Sequence, residues 1–158
     1  YLSLNHNLKN IYKMKKLLFT VAIGLGLLTQ SCQKETITTN PNLAKVGDKY
    51  LDGYVVSTYS DGHGVIAKKV SGSTNWYSCG TLASGEWRVP SSSELYYMLD
   101  NMTLRSKMNI SYGYYWSADE NSSTNAKAIY IEQGGEPRTQ THDKPKTNNY
   151  GLYIFKNY

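Results

Sequence analysis

The sequence predicts an α+β domain, with strands near both of its ends, a β-hairpin, at least one amphipathic helix and long irregular loops. Three observations carry that prediction. Tyr54–Tyr59 (YVVSTY) and Gly64–Val70 (GVIAKKV) are β-branched, aromatic-rich runs flanking Ser60-Asp61-Gly62-His63, and two such runs across an Asp-Gly turn signal a hairpin. Ser91 stands three residues before Glu94, a capping box, and Leu95, Met98, Leu99 and Met102 follow at i, i+3, i+4 and i+7. The chain closes on GLYIFKNY, a strand pattern. A helix enclosed between strands, without βαβ alternation, is the arrangement of an α+β fold.

Taken in order, the domain is expected from about residue 46 to residue 158, the size of one domain with one modest core, and it shows no internal repeat. After the hairpin, residues 71–86 are rich in Ser, Gly, Thr and Asn around Trp76, Tyr77 and Cys79, and are expected to form an irregular loop. The helix has Pro90 just before its cap, where a missing N–H costs nothing inside the helix, and is expected to end near Met102 or Thr103. The stretch after it carries no clear pattern. A short aromatic segment (YGYYWS) then leads through a polar loop to a strand expected over Ala126–Glu132, and Gly134-Gly135 reads as a turn.

The N-terminal part is of a different kind. Met14 is followed by Lys15 and Lys16, a twelve-residue apolar run from Leu17 to Leu28, and Thr29-Gln30-Ser31-Cys32. These are the n-region, h-region and small-residue cleavage site of an export signal, and the run is shorter than the roughly 20 apolar residues of a membrane span. A cysteine directly after a small residue here resembles the signal of bacterial lipoproteins, in which lipid is attached to that cysteine; Thr29 stands where those signals usually carry Leu. The resemblance implies a signal peptide over 14–31, lipid on Cys32 as the membrane anchor, and residues 1–13 as an upstream extension outside the protein. A plain cleaved signal is the alternative.

Export changes the reading of charge. Lys9, Lys13, Lys15 and Lys16 precede Cys32 and no acid does, so removing those four takes the formal net charge from +5 to +1. The case for a nucleic-acid or anionic partner, which a basic chain would raise, disappears with them. Cys32 is assigned to lipid and Cys79 has no partner, so no internal disulfide is expected. A nucleophilic Cys79 would need a histidine base, and His63 and His142 sit in no recognisable arrangement with it, so Cys79 is expected to be buried and inert. Residues 32–45, polar and carrying Thr, Asn and Pro, are expected to tether lipid to domain. The opening CQKE resembles the signal that sends some outer-membrane lipoproteins to the cell surface, with Glu35 as its one acid; a mere spacer has the same composition.

Trp87-Arg88-Val89-Pro90-Ser91 with Glu94-Leu95, and later Tyr115-Trp116-Ser117 followed by Asn125-Ala126 and a strand, resemble the two signatures of DUF1566 and Fibrobacter-type major paralogous domains. The resemblance spans about residues 52–156, with Ala118 replacing a small hydroxyl residue and the closing strand lacking a common arginine. It implies a C-type-lectin-like fold. Trp87, Arg88, Pro90, Ser91, Glu94 and Trp116 are expected to be structural, the tryptophans because they offer the largest apolar area, and Arg88 by pairing with an acid or with loop carbonyls.

Function is less legible. Of 15 tyrosines all but Tyr1 and Tyr12 lie in the mature chain, and Tyr with Ser and Asn is the composition of antibody paratopes; a β-rich domain with aromatic edges has it too. The densest stretch, residues 109–125, is expected to be an outward loop in which Tyr112, Tyr114, Tyr115, Asp119, Asn121 and Asn125 contact a glycan or protein ligand. Sugar-binding lectins of this fold use a Glu-Pro-Asn triplet and a later Trp-Asn-Asp to hold calcium. Here Glu136-Pro137-Arg138 follows Trp116-Ser117-Ala118-Asp119, in reversed order and with Arg138 offering no oxygen ligand, so neither metal nor cofactor is expected. No catalytic pair, triad or phosphate-binding loop is present, and Asp61-Gly62-His63-Gly64 reads as a turn. The expectation is a lipid-anchored, non-enzymatic binding module of the outer membrane. The alternatives are a structural or assembly component of the envelope, such as a fimbria-associated subunit, and a variable protein of a diversity-generating retroelement.

Overall fold

A computed structural model describes residues 44–133 and 138–158, all within the unit Glu35–Tyr158. The signal, Cys32, most of the tether, the Gly134-Gly135 turn and Glu136-Pro137 lie outside the described residues. The fold is mixed α+β, built on two antiparallel sheets with few helices.

The first sheet has the order β1-β2-β3-β7. Strands β1 (Lys49–Tyr50), β2 (Gly53–Thr58) and β3 (Gly64–Lys69) form the early meander, and β7 (Tyr153–Asn157) pairs with β3. The expected hairpin is present. Asp61 Oδ1 accepts the backbone N–H of His63 at 3.1 Å, and Gly62 takes φ +87°, a conformation L side chains adopt at a cost. Ala44, expected in the tether, is already buried against Tyr50, Val55 and Ile66, so the ordered domain starts at least two residues before residue 46.

Residues 71–86 are not a simple irregular loop: they contain helix α1 (Trp76–Leu82), capped by Asn75, whose side chain accepts from Ser78 N. Ser, Gly and Thr are weak helix formers, so the helix is held by tertiary contact. Cys79 is the residue it buries, and the Trp76 indole N–H donates to Ser117 O at 2.9 Å.

Helix α2 (Ser92–Asp100) has the complete capping box between Ser91 and Glu94, and buries Leu95, Met98 and Leu99. It ends earlier than the periodicity predicts. Asn101 closes it and caps α3 (Met102–Lys107), accepting from Leu104 N at 3.1 Å. Met102 therefore opens a new helix and is 61% exposed, while Leu104 enters the core in its place. Asn and Asp compete with the helix ladder through their side chains, and Asp100-Asn101 breaks a stripe that hydropathy alone extends.

The second sheet, β4-β5-β6, contains the largest departure from expectation. Strand β4 (Gly113–Glu120) occupies the middle of the stretch expected as a loop, β5 (Asn125–Ile131) follows as predicted, and β6 (Thr139–Pro145) had no sequence signal. TQTHDKP is polar and carries a proline; it is an edge strand, where such residues are tolerated and blunt further pairing.

The main core lies between the sheets. Val65, Ala67, Tyr153 and Phe155 of the first sheet meet Leu95, Leu99 and Leu104 of the helices and Tyr115, Ile129 and Ile131 of the second. Burying each such aliphatic side chain is worth about 1.5–3 kcal/mol. A second cluster joins Cys79, Trp116, Ala126 and Ala128 to Leu152 and Ile154, with Trp76 and Trp87 against it. Gly151 stitches the sheets through Trp116 N→Gly151 O and Gly151 N→Tyr114 O, both 3.0 Å. A Cβ on Gly151 would lie 2.6 Å from the Tyr115 ring, so only glycine allows this approach. Among the described residues no helix is long and apolar enough to cross a membrane.

Candidate functional site

The signature residues act as a clasp. Arg88 exchanges two backbone hydrogen bonds of 2.8 Å with Phe155 of β7, and its guanidinium donates two more to Glu94 at 2.8 and 2.5 Å, the bidentate geometry that makes such pairs strong. Glu94 also accepts from Ser91 N and Ser91 Oγ. The Arg88 guanidinium and these bonds bring the Glu94 carboxyl down to about 2. Pro90 is fully buried and its carbonyl accepts from Ala118 N at 2.8 Å. Trp116 is fully buried, its indole N–H donating to Thr74 O at 2.9 Å; with Trp76 bonded to Ser117 O, two tryptophans fasten α1 and the loop before it to β4. Trp87 is half-buried under the Lys68 ammonium, 4.0 Å from its ring centroid.

The six expected ligand residues do not converge. Tyr115 is a correction: it is 3% exposed, lies in the main core and donates its hydroxyl to Ser111 O. In a strand, neighbours point to opposite faces, so Tyr114 and Tyr115 could not both face solvent. Asp119 is held by α2, accepting from Ser92 N at 3.0 Å and from Ser92 Oγ. Asn121 donates to Asp143 Oδ2 at 2.8 Å, and Asn125 N donates to Ser122 Oγ; both shape the β4–β5 turn. Tyr112 is 54% exposed. Tyr114 and Asn121 stand at opposite ends of β4, roughly 20 Å apart at about 3.3 Å per residue.

What the second sheet does assemble is an aromatic ledge on the face away from the main core. Tyr114 and Tyr130 are cross-strand partners with rings 4.5 Å apart. Tyr150 stacks on Tyr114 at 4.8 Å, and His142 meets Tyr114 edge-on at 5.7 Å. Tyr150 also touches Trp116 at 4.8 Å and accepts from Asn148, so the ledge rests on the buried clasp. The Lys144 ammonium sits 4.4 Å over the Tyr114 ring, and hydrogen bonding to Tyr114 moves its pKa above the usual lysine value. All four rings are half-buried, exposing part of each while neighbours fix their orientation. Of these residues the sequence singled out only Tyr114 as ligand-binding. The alternation in AKAIYI places Tyr130 opposite Ile129 and Ile131 and so marks it as turned from the core; His142 and Lys144 needed the unseen pairing of β6, and Tyr150 its bridge to Thr74.

Chemistry elsewhere is sparse. Burial pushes the Cys79 thiol up to about 11, leaving it protonated and unreactive near neutrality. His63 pairs with Asp61 in the exposed hairpin turn. Asp119, Glu120 and Asn121 turn to three different partners, Ser92, Lys146 and Asp143. Among the described residues no three acidic, histidine or cysteine side chains group as metal ligands.

Compared with known proteins, the chain matches no family model and no curated protein sequence.

Proposed function

We propose that the protein is a non-enzymatic binding module carried by an outer-membrane lipoprotein, anchored by lipid on Cys32 and exposed at the cell surface. It recognises a glycan or a protein through the ledge of Tyr114, Tyr130, Tyr150 and His142. The observation that carries this reading is the ledge itself: four contiguous, half-exposed rings locked by mutual stacking, with one cation above them. Rigid aromatic faces supply contact area at low entropic cost, and aromatic anchors dominate binding surfaces. We place the domain among C-type-lectin-like folds. That placement is supported by β1 and β7 sharing one sheet, by the smaller second sheet, and by the Trp87–Glu94 string that joins the two.

The test is a glycan array and a surface pull-down with the detergent-solubilised protein, repeated with Tyr114→Ala and Tyr130→Ala. Binding that both substitutions abolish, in variants that still unfold cooperatively, is the expected outcome. Blank arrays together with blank pull-downs at high protein concentration overturn the proposal.

A further inference from the structure

A second site lies between helix α2 and the β2–β3 hairpin. Glu94, Tyr97, Met98 and Asn101 fall at i, i+3, i+4 and i+7, which sets them on one face of α2 and its C-cap. Across from them, Ser57 pairs with Val65 in the hairpin, so the two share a face, and Tyr59 follows at the turn. Together these residues line a cleft of about 340 Å³, floored by the buried side chains of Val65, Met98 and Phe155. Small-molecule sites begin near that size, at about 300 Å³, so the cleft takes a single ring and not an extended chain.

Three features give the cleft its chemistry. The first is a pair of accessible rings, Tyr97 at 75% exposed and Tyr59 at 57%, each held in place. Tyr59 exchanges backbone hydrogen bonds within the turn, donating to His63 O at 2.7 Å and accepting from Gly62 N. Tyr97 meets Tyr96 edge-on, and Tyr96 packs on the main core. Single exposed aromatics are ordinary, but two that share one apolar cleft form a contiguous binding surface. The second is neutrality: Glu94 is the one charged lining residue among those described, and Arg88 pairs with it bidentately. The third is hydrogen-bonding capacity at the rim. Glu94 Oε1 accepts only from Arg88 among the described residues, and a carboxylate oxygen has room for two donors. Asn101 Oδ1 is taken by Leu104 N, so its amide nitrogen is the part left to donate. A proline ring would bring no donor to Glu94 and would strip it of water. A sugar ring brings hydroxyls that donate and accept, together with an apolar C–H face suited to tyrosine.

We propose that this cleft binds one uncharged sugar ring, its C–H face against Tyr59 and Tyr97 and its hydroxyls toward Glu94 and Asn101. The site is separate from the aromatic ledge and does not depend on it. The experiment is isothermal titration of the full chain in detergent micelles with the methyl glycosides of glucose, galactose and mannose, alongside tetraproline and cyclohexanol. Saturable binding of at least one glycoside is expected, roughly tenfold or more tighter than cyclohexanol, which has the ring without the array of hydroxyls. Tyr97→Ala and Tyr59→Ala should each weaken it roughly fivefold or more. Both variants should melt with the parent, since each ring is exposed. Tyr97→Phe, which keeps the ring, should retain binding, and Tyr114→Ala should leave it intact. No saturation by any glycoside, tighter binding of tetraproline, equal binding of cyclohexanol, or insensitivity to both cleft substitutions overturns the proposal, as does loss with Tyr114→Ala alone.

Discussion

The two sheets bury their faces differently. The first is covered on both sides: Val65, Ala67 and Phe155 face the main core, while Val55, Ile66 and Ile154 pack into the two smaller clusters on the other side. The second buries Tyr115, Ile129 and Ile131 on one side. On the other it is covered only where Trp116, Ala126 and Ala128 meet α1 and the segment before β7, and past that cover the face carries Tyr114, Tyr130 and His142. A fully covered sheet leaves no broad face open to a ligand. A half-covered sheet can present a surface whose substitution spares the core. Trp116 marks the border, and consecutive residues of β4 fall on either side of it.

That contrast can be broken most directly at Trp116. Trp116→Ala removes the largest fully buried side chain and a hydrogen bond across the border, and should destabilise the fold by roughly 3–5 kcal/mol. Urea denaturation measures it, and a loss under about 1 kcal/mol would show that the second sheet does not depend on the clasp. A smaller effect is expected where the clasp reaches the surface. Ser91→Ala removes the α2 cap and should cost about 1 kcal/mol, read from the same denaturation curves. The clasp also predicts acid sensitivity. Glu94 has its pKa lowered from 4.5 to about 2, so its contribution is fully present above about pH 4.5 and fades as pH falls toward 2. In Glu94→Gln the melting temperature should therefore fall less steeply across that window than in the parent; identical slopes would mean that the Arg88 pair adds no stability in solution. The smallest effect belongs to Tyr112, exposed and outside both clusters. Tyr112→Ser should change stability by less than about 0.5 kcal/mol and leave any Tyr114-dependent binding unaltered.

Legibility followed the range of the interactions. The β2–β3 hairpin and the start of α2 were readable because each is fixed within a few residues, by Asp61-Gly62 and by Ser91 with Glu94. Helix α1 was not, since its weak helix formers are held by Trp76 bonding to Ser117, forty-one residues away. Strand β6 was invisible for a related reason: an edge strand of polar residues becomes a strand by pairing with β5, and nothing in TQTHDKP announces it. The candidate site suffered most. Tyr114 was identified as a surface residue from composition, but so was Tyr115, because composition ignores the alternation of a strand not yet recognised. Asp119, Asn121 and Asn125 read as free polar groups until their partners on α2, β6 and the β4–β5 turn were in place.

By itself the sequence determined the α+β class, the hairpin, the capped helix, the closing strand and the burial of Cys79, because turns, caps and apolar periodicity act over short stretches of chain. Only the tertiary structure decided which aromatics hold the fold and which face outward, and it alone brought Tyr130, His142, Lys144 and Tyr150 beside Tyr114. Those choices depend on strand pairing and on which face of each sheet is covered, and both are set by contacts between residues far apart in the chain.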